Sequence, residues 1–222
     1  MPRCSGLLKK RWNVMLKISK ITAPSLPNAL VGVPTETVAC NNWAADYPYA
    51  PQVTFAAAHN GECLFLSFDV HEACTAALVT EDNGPVWTDS AVECFLSFDE
   101  SGYYNFEFSC IGKALLGFRK TKPDARHADA AVMRTILRHS SLGETGFAER
   151  RGDNHWQLQV AIPVTAFLAH RLTSLDGLRA RMNVYKCGDN LSQPHFLSWQ
   201  PIHTDKPNFH VPQFFGEVEF EG

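Results

Sequence analysis

The sequence predicts an all-β protein, an antiparallel β-sandwich with at most one short helix. Three observations carry this. Short apolar runs, several of them strictly alternating, recur between turn signals along the whole chain. Aromatic residues make up 11% of it, with 15 Phe and 5 Trp, side chains that suit a pleated, half-buried surface. Sustained helical periodicity is absent.

The elements follow in order. Met15 opens a strand-like stretch, MLKISKI. Residues 1–20 are read as an N-terminal arm whose first fourteen residues add nothing to the fold, and 21–222 as a single domain. Strands are expected at 53–58 and, after the turn His59-Asn60-Gly61, at 62–70. Residues 92–98 and 104–111 form the next pair. Weaker strands are expected at 131–139 and 146–150. In 156–162, Trp156, Leu158, Val160 and Ile162 face one way and Gln157 and Gln159 the other. Pro163 begins the one expected helix, 163–170, with proline in the favoured first turn. Residues 178–186 alternate again, with Leu178, Ala180, Met182 and Val184 opposite Arg179, Arg181, Asn183 and Tyr185. Strands at 196–199 and 217–220 close a sandwich of jelly-roll or immunoglobulin-like kind.

Composition narrows the function. The 222 residues carry a net charge of −3 and a pI near 6.3. A nucleic-acid binder's basic stripe is missing, and no apolar run is long enough to span a membrane. The uncharged run from Trp12 to Leu16 is too short for a secretory apolar region. Seven cysteines, an odd number without a CxxC pair, suit a reducing, cytoplasmic setting without disulfides. Cys63, Cys94 and Cys110 read as buried hydrophobes.

The stretch 86–117 is the most informative. Trp87 sits in a polar turn, and six residues later Glu93 interrupts an apolar strand. If Val92, Cys94, Leu96 and Phe98 share the core with Tyr104, Phe106, Phe108 and Cys110, residue 98 pairs with 104 across a five-residue loop, or a shorter one with a bulge. The opposite face then carries Glu93, Phe95 and Ser97 with Asn105, Glu107 and Ser109, either a solvated surface or the floor of a site. Taken singly, Trp87 reads as a packing group and Glu93 as a solvated strand charge. Together, an aromatic beside polar groups on a rigid sheet suits a ligand with apolar faces and hydroxyls, such as a sugar.

Other chemistry has weaker support. Glu93 and Glu107 could act as a general acid and base at glycosidase separation. The nine histidines form no i, i+4 helical pair and no zinc pattern with cysteine. Clusters at 81–84 and 189–190 could hold calcium, or be ordinary turns. The aromatic, proline-rich 196–216 reads as a crossover capping the sandwich, or as a loop presenting a ring opposite Trp87.

At this point the sequence resembles a family 9 carbohydrate-binding module, within the DOMON-like β-sandwiches. The likeness runs over about 43–220. It is carried by Trp87-Thr-Asp-Ser-Ala-Val-Glu93-Cys-Phe95, by Gly102-Tyr103-Tyr104, by Ser198-Trp199 and by Phe209-His-Val-Pro-Gln-Phe-Phe-Gly216. Stand-alone bacterial proteins of this type share the start seen here in Trp43, Tyr47-Pro48-Tyr49 and Pro51. The resemblance implies a sugar held between two aromatic rings, here Trp87 and Phe209, with Glu93 as the principal acid. Trp199 falls on a structural tryptophan. An arginine of the family's site falls on Glu107 and a glutamine on Tyr185, departures that leave the particular sugar open. The resemblance also implies structural calcium, without ligands that can be matched here; no other cofactor is implied.

The expected function is therefore non-catalytic binding of a mono- or oligosaccharide, without nucleic acid or membrane. The expected contacts are Trp87, Glu93, Phe209, Glu107, Asn105 and Tyr185, with Arg126 and His210 at the rim. The alternatives are a glycan-processing enzyme using Glu93 and Glu107, and an interaction or redox domain that kept the sandwich and lost the sugar.

Overall fold

The computed structural model describes residues 15–22 and 25–222, without the side chain of Lys122. Residues 1–14 of the expected arm lie outside the described residues. The strands are β1 (Leu16–Lys20), β2 (Glu36–Thr37), β3 (Gln52–His59), β4 (Cys63–Ala77), β5 (Ala91–Asp99), β6 (Gly102–Ser109), β7 (Ala114–Arg119), β8 (Arg126–His127), β9 (Leu137–Ser140), β10 (Phe147–Pro163), β11 (Arg179–Cys187), β12 (Phe196–Ser198) and β13 (Gly216–Phe220). They form one curled sheet in the order β8-β7-β6-β5-β11-β13-β1-β3-β4-β10-β9, with β12 on β11 and β2 on β3. Strand β1, the end of the expected arm, is integral. It pairs parallel with both β13 and β3 and so joins the two halves of the sheet.

The halves face each other across a core in which Phe55, Phe68, Trp156 and Leu158 of one half meet Val92, Leu96, Phe106 and Val184 of the other. Each such side chain contributes about 1.5–3 kcal/mol by leaving water. The alternation read from 156–162 and 178–186 is what delivers Trp156, Leu158 and Val184 inward. Among the described residues, no helix is long and apolar enough to cross a membrane.

Several boundaries differ from expectation. The strands expected at 146–150 and 156–162 are one continuous strand, β10, whose ladder with β4 is irregular between Phe147 and Arg150 and between Arg151 and Asn154. The helix expected over 163–170 is one 3-10 turn, Val164–Ala166. The short α-helix is instead Ala130–Met133 (α1), at the start of an expected strand, where the Asp129 carboxylate accepts a hydrogen bond from Val132 N at 2.9 Å. An N-cap of this kind is worth about 1 kcal/mol. Strand β7 was not foreseen, and Cys63 is half-buried at a strand start while Cys94 and Cys110 are fully buried.

The pairing of β5 with β6 corrects the expected register by two residues. Leu96, not Phe98, lies opposite Tyr104, and a bulge precedes the Asp99–Gly102 pair. The Ser97 hydroxyl sits 2.8 Å from both the Asp99 and Gly102 carbonyl oxygens and closes the bulge. Gly102 has φ 153°, and a Cβ there would stand 2.6 Å from the Arg119 carbonyl oxygen. A slip of two keeps every side chain on its face. It changes the neighbours, however, and sets Glu93 directly opposite Glu107.

Candidate functional site

The outer face of β5, β6 and β11 is covered by the chain's C-terminal crossover, which packs Ile202, Phe209, Val211 and Phe215 against Phe95, Tyr103 and Tyr185. Polar side chains pin the crossover. Asn183 Oδ1 accepts from Gln200 N at 2.9 Å, and its Nδ2 donates to Gln200 O at 3.1 Å. Trp43 Nε1 donates to Thr204 O at 2.8 Å. Tyr185 donates its hydroxyl to Phe209 O at 3.2 Å, and its ring stacks on Phe209 at 4.2 Å and 9°. Each bond satisfies a polar group that burial would otherwise strand.

The crossover does not cover the whole face. A cavity of about 320 Å³ remains, lined by Trp87, Glu93, Glu107, Arg119, Cys187, Asp189 and Phe209 among others. Trp87 stands on a 3-10 turn, Val86–Thr88, anchored by the fully buried Val86. The turn is fastened to the loop after β11 by Asp189 N on Trp87 O and Asn190 N on Thr88 O. Next to it, the Asp89 carboxylate accepts from Leu78 N and Val79 N, both at 2.8 Å. The indole is 37% exposed, whereas Phe209 is 9% exposed. Trp87 therefore offers a platform and Phe209 only part of a wall.

The floor is a polar chain across three strands. Arg119 Nε on β7 donates to Asn105 Oδ1 at 3.1 Å, and Asn105 Nδ2 on β6 donates to Glu107 Oε1 at 2.8 Å. Glu93 on β5 lies beside them, with the Cys187 thiol 3.2 Å from its Oε1. Gly117 makes room for this arrangement: a Cβ there would sit 2.6 Å from Asn105 Oδ1 and 3.2 Å from Arg119 Nη2.

Burial pushes the Glu93 carboxyl well above its ordinary 4.5, and the neighbouring Glu107 charge pushes it further; the Cys187 contact and Arg119 act in the opposite direction. A raised carboxyl keeps its proton nearer neutral pH and can donate as well as accept. Burial also raises the Cys187 thiol well above 9.0, and the Glu93 and Asp189 charges add to this. The nucleophilic thiolate is thus disfavoured. The floor can exchange hydrogen bonds in both directions with hydroxyls while the indole covers an apolar face.

The structure brings Trp87, Glu93, Glu107, Phe209 and His210 to this cavity. Asn105 and Tyr185 do not reach its surface. Both are fully buried, one holding Glu107 and the other backing Phe209. Arg126 is not among the residues lining the cavity: its guanidinium lies over the Phe118 ring at 5.9 Å, and its neighbour His127 lines the cavity. A strand residue and its successor point to opposite faces, so only one of the two can face in. Arg119, Cys187 and Asp189 were missed. For the first, the available signal was a single charge closing an otherwise apolar run, Ala114 to Phe118.

Calcium is not matched at either suspected turn. Asp82 Oδ1 pairs with Arg138 Nη1 at 2.6 Å and accepts from Ala114 N, so a cation would have to displace a guanidinium. Asp189 faces the cavity. Among the described residues, the one group of three or more His, Cys, Asp or Glu ligand atoms is Asp69, His71 and His155, and two imidazoles do not suit calcium's all-oxygen shell.

Comparison with known proteins agrees with this architecture. A profile of carbohydrate-binding family 9 matches residues 26–220. A candidate carbohydrate-binding protein from Bacteroides uniformis superposes with a TM-score of 0.87 at 40% identity, covering 93% of this chain and 97% of that one. Family 9 carbohydrate-binding modules from Caldicellulosiruptor kristjanssonii share the fold at 11% identity. The glucose complex gives a TM-score of 0.60 over 94% of this chain and 96% of that one, and the cellotriose complex 0.59 over 94% of each. Curated protein sequences give no match. With the profile spanning most of its length, the chain belongs to carbohydrate-binding family 9.

Proposed function

We propose that the cavity binds one end of a mono- or oligosaccharide without changing it. The observation that carries this is an exposed indole, Trp87, at the mouth of a cavity floored by Glu107 and Arg119, joined through Asn105, with Glu93 beside them. A volume of about 320 Å³ is at the small end of ligand cavities, roughly 300–1,000 Å³, and suits a terminal ring better than a long chain. Family membership and structural relatives holding glucose and cellotriose support a sugar as ligand. Where the resemblance led to arginine, this chain has Glu107. Arg119 supplies a guanidinium from the next strand, a different set of hydroxyl contacts on the same floor.

A glycan-array screen with the purified protein identifies the sugar. Isothermal titration with Trp87→Ala then tests the mode. Loss of the stacking platform is expected to weaken binding by about 2 kcal/mol, roughly thirtyfold, as for a central aromatic anchor. Because the ring is partly exposed, the melting temperature is expected to move little. Unchanged affinity would remove Trp87 from the site.

The raised Glu93 beside Glu107 favours a second reading, a carboxylate pair acting on glycosidic bonds. The two rise side by side from paired strands on one floor, whereas hydrolysis needs an acid and a base flanking the bond. Turnover of aryl glycosides abolished by Glu93→Gln would establish the enzyme. Saturable, Trp87-dependent binding without turnover supports the binder.

A further inference from the structure

We propose that Asp69, His71 and His155 form a binding site for a zinc-class divalent transition metal on the outer face of β4 and β10. This face belongs to the half of the sheet that does not carry the cavity. His71 and His155 are direct cross-strand partners, and Asp69 lies two residues along β4, opposite Gln157. All three side chains therefore project to the same side.

The geometry is close to what such an ion takes. His155 Nε2 lies 3.2 Å from both Asp69 oxygens, and His71 Nε2 lies 3.5 Å from Oδ1. Tetrahedral ligands at zinc bond lengths of about 2.0–2.2 Å are separated from one another by about 3.3–3.5 Å. The imidazoles stack at 4.0 Å and 7°, and one ligand atom from each of the three residues lies within 4.8 Å of the others. Binding one ion requires the half-exposed rings to turn about their Cβ–Cγ bonds until both Nε2 lone pairs converge on it. Each ring then keeps its single proton on Nδ1.

The surroundings support the assignment. Gln157 Nε2 donates to Asp69 Oδ2 at 2.5 Å, which orients the carboxylate as a supporting shell orients a ligand. The other neighbours on this face, Gln52 opposite His71 and Thr54 opposite Asp69, are uncharged. Strands β4 and β10, of 15 and 17 residues, fix the spacing. Two nitrogens and one carboxylate select zinc, copper, nickel or cobalt over calcium and magnesium. Three protein ligands leave a position open for water.

The test is isothermal titration of the full chain with zinc chloride near pH 7.5. One saturable site is expected. His71→Gln and His155→Gln, on different strands, are each expected to weaken it at least tenfold, while His203→Gln, elsewhere on the surface, leaves it unchanged. Circular dichroism checks that the exposed replacements fold. Cobalt supplies a readout independent of the variants, because one ion held by two imidazoles and a carboxylate in a four- or five-coordinate site gives a visible absorption band that zinc abolishes. Absence of saturable zinc binding, zinc affinity unaltered in both histidine variants, or cobalt that stays octahedral would each overturn the proposal.

Discussion

Two carboxylates of one molecule, Glu93 and Glu72, are displaced in opposite directions by what surrounds them. Glu72 sits in the core against the Lys186 ammonium; burial opposes its ionisation, yet that charge and its hydrogen bonds hold it below the ordinary range. Glu93 faces another acid on the cavity floor and is raised. The sign for stability follows. A carboxyl raised in the fold stabilises it fully below the unfolded value of 4.5, and that contribution is lost as pH rises towards the folded value. Glu93→Gln does not titrate. Thermal unfolding from about pH 5 to pH 8 is therefore expected to show the variant gaining on the wild type as pH rises. A difference between variant and wild type that stays constant with pH would show that Glu93 is ionised and well solvated. The pair with Glu107 was visible in the sequence only as two acids on one face. Their direct opposition depends on a bulge after Leu96 that alternation does not encode.

Among elements, the strands with strict alternation were legible and the irregular ones were not. Trp156 to Ile162 and the residues of β11 declare their buried faces because one side is apolar throughout. The N-terminal part of β10, residues 147–155, is largely exposed and broken by two irregularities, so it carries little pattern. Strand β7 is buried along its whole length, and a strand apolar on both faces loses its period-two signal. That is why Arg119 escaped notice, although it ends the strand that completes the cavity floor. Gly117 makes this dependence testable. Gly117→Ala would drive a methyl group into Asn105 and crowd Arg119. Overpacking of this kind costs about 1–3 kcal/mol of stability. Because Asn105 links Arg119 to Glu107, sugar affinity is expected to fall at least tenfold even where the protein remains folded. Titration with the array-selected sugar beside a denaturation curve separates the two effects, and full affinity in the variant would detach Arg119 from recognition.

At the scale of the whole molecule, the two halves of the sheet are joined through the five-residue strand β1. Inside the sandwich, a buried polar network links them again. Lys186 of β11 places its ammonium 2.8 Å from Glu72 Oε2 of β4, an ion pair, and 2.8 Å from Cys187 O and 2.9 Å from His195 Nε2, within hydrogen-bonding distance of each. Glu72 Oε1 accepts in turn from Trp156 Nε1 of β10 at 2.7 Å and from Thr75 at 2.9 Å. His195 is consistent with a neutral ring that donates from Nδ1 to Gln193 O and accepts at Nε2. Burial, with the adjacent ammonium, lowers it to about 3. Sequence alone could not foresee this, since Glu72, Lys186 and His195 meet only after the sheet curls. A buried pair contributes little net energy when whole, but leaving one charge unpartnered costs about 3–5 kcal/mol. Lys186→Met is therefore expected to lower stability by that amount. The double variant Glu72→Gln, Lys186→Met is expected to be more stable than the single one, since it leaves no unpaired charge. The wild type is further expected to lose stability as pH falls from about 6.5 towards 3, because the unfolded His195 takes a proton that the folded ring refuses. Denaturation curves of the three proteins across that range decide the matter. A single variant as stable as the wild type would show that β1 and the apolar core hold the halves together without the ion pair.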